Sequence, residues 1–162
     1  MNEYNVKLKA YDCDDREWLI RAHIEHYVDA MRFDNSFISS VTTGLDMLEG
    51  MIQQQASHYV IAQSEDRNVG SIFLSEEGVN EGRIRLFYLI PSVRGMGIGK
   101  YLLQNVISHS SRMKLDAIYV STYDLHPEAC GLYERMGFTT CCDKEVRAYG
   151  HTMRQIKYKL NL

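Results

Sequence analysis

The stretch Arg94-Gly95-Met96-Gly97-Ile98-Gly99-Lys100 decides how this chain is read. Before it runs a strand-like segment, Arg83-Ile84-Arg85-Leu86-Phe87-Tyr88-Leu89-Ile90, which stops at Pro91 because proline has no N–H to give to a sheet. After it, Ile98, Leu102, Leu103, Val106 and Ile107 mark the apolar face of a helix. Three glycines in five residues keep Cβ atoms away from the helix start, where first-turn N–H groups have no internal partners. A bare turn needs only one glycine, so the loop reads as an anion cradle. A nucleotide-hydrolase phosphate loop would need glycine at Arg94 and Ser or Thr at Tyr101. The dinucleotide fingerprint would need glycine at Lys100 or at Leu102, so neither pattern fits.

Outward from this loop the chain alternates element types. Tyr4 to Ala10 alternates as a first strand, and Asp14-Asp15 precede a helix with Ile20, Ile24, Tyr27/Val28 and Met31 on one side. Asn35-Ser36 open a second helix, with Val41, Leu45, Leu48 and Ile52 in line and Gly44 and Gly50 weakening it. His58 to Ala62 and Val69 to Leu74 flank the polar cluster Glu65-Asp66-Arg67-Asn68, which predicts a hairpin. Ala117 to Thr122 reads as a buried strand. His126-Pro127-Glu128 then start a helix, with Ala129, Leu132, Tyr133 and Met136 inward and Gly137 at its end. Thr139 to Val146 and Met153 to Leu160 close the chain as a strand pair. A β-α-β unit inside an otherwise antiparallel set predicts a mixed α/β layered fold. With no repeat, low-complexity tract or linker, residues 1–162 read as one domain.

Composition narrows the class. A chain that is 45% hydrophobic with two prolines folds rather than staying disordered. Eighteen Lys+Arg against 21 Asp+Glu leave a charge of −3, so there is no general basic field for nucleic acid or an anionic membrane. No apolar run reaches the roughly 18 residues of a membrane span, and the N-terminus has no signal-peptide pattern. The expectation is a cytoplasmic protein with neither nucleic acid nor membrane as partner. Cys13, Cys130, Cys141 and Cys142 form no CxxC pair and read as free thiols. His23 and His26 share an i, i+3 spacing that can chelate, but no further ligands are identifiable, so they read as surface or substrate-cleft residues and no metal is expected.

Two motifs carry a family resemblance. Arg94-x-x-Gly97-x-Gly99, preceded by Leu89-Ile90-Pro91, is followed some 30 residues later by Ala129-Cys130-Gly131-Leu132-Tyr133-Glu134-Arg135-Met136-Gly137-Phe138. Together, in this order and on these elements, they closely resemble the signature motifs of the GCN5-related N-acetyltransferase (GNAT) family. Gly82 to Gly99 and the Gly150-His151 ending look particularly like the acetyltransferase domains fused to MarR-type regulators, although no DNA-binding domain is present here. The resemblance implies a mixed, mostly antiparallel central sheet with helices on both faces and a splayed parallel strand pair at the cofactor site.

It also implies acetyl-CoA as cosubstrate, with its pyrophosphate on the backbone N–H groups of Gly95, Met96, Gly97, Ile98, Gly99 and Lys100. Arg94 and Lys100 could add charge. The pantetheine arm would pair with Phe87, Tyr88 and Leu89, and the Leu89 N–H would polarise the thioester carbonyl, a contribution of about a few kcal/mol. Tyr133 matches the family's general acid, and His126 stands where many relatives carry an asparagine that touches the cofactor. Tyr27, Phe33 and Phe37 are expected to line the acceptor site. Relatives place a glutamate at the position of Arg83 or near Ser121, and neither residue here is a carboxylate. Glu81, Tyr123, Asp124 and His126 are the nearby substitutes; His126, before Pro127, equally suits a helix cap. The implied activity is acetyl transfer to a primary amine of a small molecule by direct attack on the thioester. Protein or peptide acetylation and a non-catalytic acyl-CoA sensor remain the alternatives, and a homodimer is compatible with either.

Overall fold

The structure, a computed structural model, describes residues 5–162. Seven strands form one sheet in the order β1-β2-β3-β4-β5-β7-β6. They are β1 (Lys7–Ala10), β2 (His58–Ser64), β3 (Arg67–Glu76), β4 (Glu81–Leu89), β5 (Ala117–Tyr123), β6 (Thr139–Ala148) and β7 (His151–Asn161). Every neighbouring pair is antiparallel except β4 and β5. Of the expected first strand, Lys7–Ala10 is formed and Tyr4 lies outside the described residues. Among the described residues no helix is long and apolar enough to cross a membrane.

Both long hairpins close through two left-handed residues, the turn geometry whose twist matches that of paired strands. Glu65 and Asp66 join β2 to β3, and Tyr149 and Gly150 join β6 to β7. The period of two along the strands separates two cores. Val60, Ala62, Ile72, Leu74, Ile84, Ile118 and Val120 face α3 (Ile98–Arg112), which buries Ile98, Leu102, Leu103 and Val106, and α4 (Pro127–Arg135), which buries Tyr133. On the other face Tyr59, Ile61 and Phe73 pack with Tyr11, with Leu19 of α1 (Arg16–His23) and with Leu45 and Leu48 of α2 (Ser36–Gly50).

The first helix departs from its expected form. Its buried residues are Leu19, Ala22 and His23, not the stripe through Ile20 and Ile24, and from Ile24 to Ala30 the chain is π-helical. The wider turn ends with the Met31 N–H donating to the His26 carbonyl, five residues back. A π segment carries an extra residue per turn, so a 3.6-residue pattern projected through Tyr27 and Met31 loses its phase. Ile52 falls beyond the end of α2 and is exposed.

The feature that shapes the rest is in β4. From Ser71↔Tyr88 to Phe73↔Arg85 the pairing advances two residues on β3 and three on β4, so β4 carries a bulge at Leu86-Phe87. Leu86 takes a left-handed φ of 47°, and the buried Ser71 hydroxyl donates to the Leu86 carbonyl at 2.6 Å. On the other side, the ladder to β5 runs from Glu81↔Ala117 to Ile84↔Val120 and no further. Beyond that point β4 and β5 diverge.

Gly70 of β3 lets β4 press close above the bulge. A Cβ there would lie 2.4 Å from Leu89 Cδ2 and 2.9 Å from the Tyr88 carbonyl oxygen. The backbone contact cannot rotate away, so Gly70→Ala is expected to cost about 1–3 kcal/mol, read as a lower urea midpoint. A midpoint equal to that of the unchanged protein would contradict the close approach.

Candidate active site

The divergence of β4 from β5 leaves a wedge-shaped gap edged by backbone. The Ile90 N–H donates to the Val69 carbonyl at 3.0 Å, towards β3. Successive peptide groups alternate in direction along a strand, so the Leu89 N–H points the opposite way, into the gap. The mouth of the gap is the glycine loop. Gly97 is the left-handed residue that opens α3 (φ 82°), and Gly95 is left-handed as well (φ 75°) with open space where its Cβ would stand. No side chain caps α3, so its first-turn N–H groups point at the loop without a side-chain acceptor. Gly99 sits against Leu132, Leu89 and Phe87, where a Cβ would already be in contact at 3.4–3.8 Å.

Arg94 is exposed, yet it is held: its Nε donates to the Leu89 carbonyl at 2.9 Å, and its guanidinium lies 5.6 Å from the centre of the Tyr88 ring. It braces the strand end whose N–H faces the gap. The side chains of Phe87 and Leu89 pack on the α3 core, while Tyr88 faces the opposite side, against His23 and His26. Lys100 and Met96 are exposed.

Tyr133 lies on the inner face of α4, 3% exposed, with its ring among Phe87, Phe138 and Tyr158. Its hydroxyl has no hydrogen-bond partner among the described residues. Burial, and the neighbouring Tyr27, Cys130 and Tyr158, raise its pKa well above the ordinary phenol value, so it holds its proton.

On the face that carries Tyr88, the expected acceptor residues come together. Tyr27 meets Phe33 at 5.4 Å, Phe37 at 4.6 Å and His126 at 5.4 Å between ring centres. Phe33 is also buried core, 2% exposed. The turn between β6 and β7 packs against this aromatic cluster. Tyr149 stacks on Phe33 at 5.2 Å, its carbonyl accepts from the Asp34 N–H at 2.9 Å, and His151 Nε2 lies 2.9 Å from the Arg32 carbonyl. His23 and His26, expected on the surface or in the substrate cleft, belong to the same cluster, His26 standing 5.6 Å from Tyr88 and 5.8 Å from His126. Their i, i+3, i+4 grouping with Tyr27 was a visible signal. The π segment that turns the group towards Tyr88 was not.

The imidazoles are kept neutral. Burial first, then the charges of Arg94, His126 and His23, push the pKa of His26 down to about 4. Burial and then Arg94 lower that of His126. His126 stands at the N-cap position of α4 but makes no capping hydrogen bond, and its buried Nε2 has no partner among the described residues. The other substitutes for a carboxylate base are otherwise engaged. Glu81 pairs with the start of β5 and accepts from Tyr119, away from the gap, and Asp124 accepts from the Arg154 N–H. Arg83 and Ser121, the two positions where a carboxylate would be expected, hydrogen-bond to each other at 3.1 Å.

Residues 23–160 match the family model described as an acetyltransferase (GNAT) domain, so the chain belongs to the GNAT acetyltransferase family. No protein of curated function matches it by sequence. Among solved structures it is similar to a ribosomal-protein-alanine N-acetyltransferase from Brucella melitensis (TM-score 0.79, 15% identity, covering 96% of this chain and 99% of that one). A putative acetyltransferase from Salmonella typhimurium, solved with its cofactor acetyl-CoA, aligns at TM-score 0.79 and 14% identity over 97% of this chain and 94% of that one. The spermidine/spermine N-acetyltransferase SpeG from Vibrio cholerae aligns at 0.74 and 16%, with the same coverages of 97% and 94%. At these identities the likeness is one of fold.

The buried histidine of the aromatic cluster makes stability pH-dependent. His23 is 4% exposed and its Nδ1 lies 2.8 Å from the Leu19 carbonyl; burial pushes its pKa down from 6.5 to about 4, with that hydrogen bond opposing. As pH falls, the unfolded chain takes up this proton near 6.5 and the folded chain only near 4. Its contribution is therefore whole above pH 6.5 and is lost between 6.5 and 4, to the extent of about 3 kcal/mol. Urea unfolding at pH 7 and pH 4.5 should show a smaller loss on acidification for His23→Leu than for the unchanged protein. Equal losses would contradict the neutral burial.

Proposed function

We propose that this protein is an acetyl-CoA-dependent N-acetyltransferase that moves an acetyl group to the primary amine of a small molecule by direct attack. The observation that carries the reading is the unpaired β4 edge ending at an uncapped, glycine-lined helix start. An extended pantetheine arm fits a strand edge with no neighbour, and a diphosphate fits first-turn N–H groups that have no acceptor.

When bound, acetyl-CoA supplies an acyl carbon activated as a thioester, so the C–N bond can form as the C–S bond breaks. The N–H groups from Gly95 to Lys100 hold the diphosphate, and Arg94 adds charge beside it. The backbone of Phe87, Tyr88 and Leu89 aligns the arm. The Leu89 N–H donates to the carbonyl oxygen as negative charge develops there, which is where a fixed donor lowers the barrier most. Tyr133 donates its phenolic proton to the departing sulfur. Its raised pKa suits this order of events, because the proton stays on oxygen until a thiolate is present to take it.

The amine must lose a proton, and no carboxylate stands at either Arg83 or Ser121. His26 and His126 are the neutral bases in the pocket. Arg94 is among the charges that weaken them, so negative charge arriving on the loop beside Arg94 raises their basicity when the cosubstrate is in place. Tyr27, Phe33 and Phe37 line the acceptor side and exclude water from the attack.

Two variants separate cofactor binding from chemistry. Gly97→Val, at a left-handed position, should lower acetyl-CoA affinity by at least about tenfold in calorimetry run below its thermal transition, which the strain at that φ lowers. Tyr133→Phe should bind acetyl-CoA normally and release free thiol about 10–100-fold more slowly with an amine acceptor. Unchanged affinity in the first, or unchanged turnover in the second, would overturn the role given to that residue. Failure of the unchanged protein to bind acetyl-CoA at high micromolar concentration would overturn the function.

A further inference from the structure

The face of the sheet occupied by Tyr88 continues past the aromatic pocket onto a stretch with a different character. The strand registers set Arg83, Tyr119 and Lys159 side by side across β4, β5 and β7. One step nearer the pocket, Ser121 pairs with Lys157, and one step further Tyr123 pairs with Gln155, which faces Lys144 of β6. Arg85, opposite Phe73, lies on this face as well. Five cations therefore share one side of the sheet in a chain whose net charge is −3.

Among the described residues little balances them. Glu77 is bound to Arg83 at 2.6 Å, and Glu81 accepts from the Tyr119 hydroxyl at 3.0 Å. Lys157 and Lys159 lie over the Tyr119 ring, at 4.5 and 5.5 Å, and make no ion pair among the described residues. Arg85 is half-buried, yet its one hydrogen bond among the described residues runs from Nε to the Ser75 hydroxyl at 3.3 Å, and no carboxylate there lies within 4.0 Å of it. A guanidinium taken part of the way out of water without a counter-ion is costly, and burial together with Arg83 pushes its pKa down. Its terminal nitrogens form a fork suited to a planar or tetrahedral oxyanion.

The patch also adjoins the pocket. Tyr123, whose ring is 6.3 Å from Phe33, is two residues from Ser121 along β5, roughly 7 Å. The aromatic cluster presents neutral histidines and phenols, and the cations of the sheet face are the nearest group of charges of one sign beyond it.

We propose that the acceptor is an amine that also carries an anionic group, a carboxylate or a phosphate, which Arg85 and Lys157 hold on the open sheet face while the amine reaches the gap. The proposal rests on the acetyltransferase reading and deepens it. It makes Arg85 and Lys157 specificity residues, one through a forked hydrogen bond and the other through charge.

The test is free-thiol release from acetyl-CoA with matched acceptors. ω-Amino carboxylates of three to six carbons are each compared with their carboxamides, ω-aminoalkyl phosphates with the corresponding amino alcohols, and spermidine is included as a polycation. The expected result is a kcat/KM at least tenfold higher for the anionic member of one series, and the series with the larger ratio identifies carboxylate or phosphate. That ratio should fall with added salt and drop towards one in Arg85→Gln and in Lys157→Gln; the second, at a side chain with no ion pair, guards against a folding defect in the first. Equal turnover of anionic and neutral members, preference for spermidine, or a ratio unchanged in both variants would overturn the proposal while leaving the transferase reading intact. Thiol release by no acceptor, with acetyl-CoA bound, would overturn the transferase reading and this proposal with it.

Discussion

The bulge in β4 is the constraint on which the rest of the molecule depends. One extra residue at Leu86-Phe87, with Leu86 in a left-handed conformation, bends the strand away from β5 after Ile84. A non-glycine residue in that region is strained, so something must hold it there. The Ser71 hydroxyl does so from the neighbouring strand, completely buried and donating to the Leu86 carbonyl. The same bend sends Tyr88 to one side of the sheet and Phe87 and Leu89 to the other. A single irregularity thus opens the gap and aims its backbone donor, while sorting the side chains between the α3 core and the aromatic cluster.

Charge is distributed in three zones around that gap. At its mouth, backbone N–H groups and Arg94 offer positive potential to an anion without any contribution from the acidic chain as a whole. Behind the bulge, burial keeps His23, His26 and His126 uncharged. Beyond the pocket, Arg83, Arg85, Lys157 and Lys159 restore positive charge on an open face. Arg83 and Ser121 bond to each other where a carboxylate would otherwise polarise the site in the opposite sense.

Most of the architecture was legible in the residues because it rests on local rules. The glycine loop, Pro91 as a strand stop, the polar turn at Glu65-Asp66 and the proline start of α4 each announce themselves within a few residues, and all four stand where expected. The bulge was not legible from spacing, because its evidence is a mismatch between β3 and β4 that only pairing reveals; the family likeness supplied the splayed strand pair that accompanies it. The π segment escaped for a related reason. A wide turn leaves no mark in composition, yet it breaks the phase of the helix beyond His23. The histidine cluster assembles from α1, the π segment and the start of α4, about a hundred residues apart, and the basic face from three strands. Neither is visible in any single stretch of sequence.

The central claim is that the backbone of β4 beyond the bulge is a binding surface. Amide hydrogen exchange on 15N-labelled protein, recorded with and without saturating acetyl-CoA, tests it at single residues. The Leu89 N–H, which points into the gap, should become markedly slower to exchange together with the first-turn amides after Gly97. The Ile90 N–H, already bonded to Val69, should change little. A Leu89 amide that exchanges equally fast with acetyl-CoA bound would contradict the account.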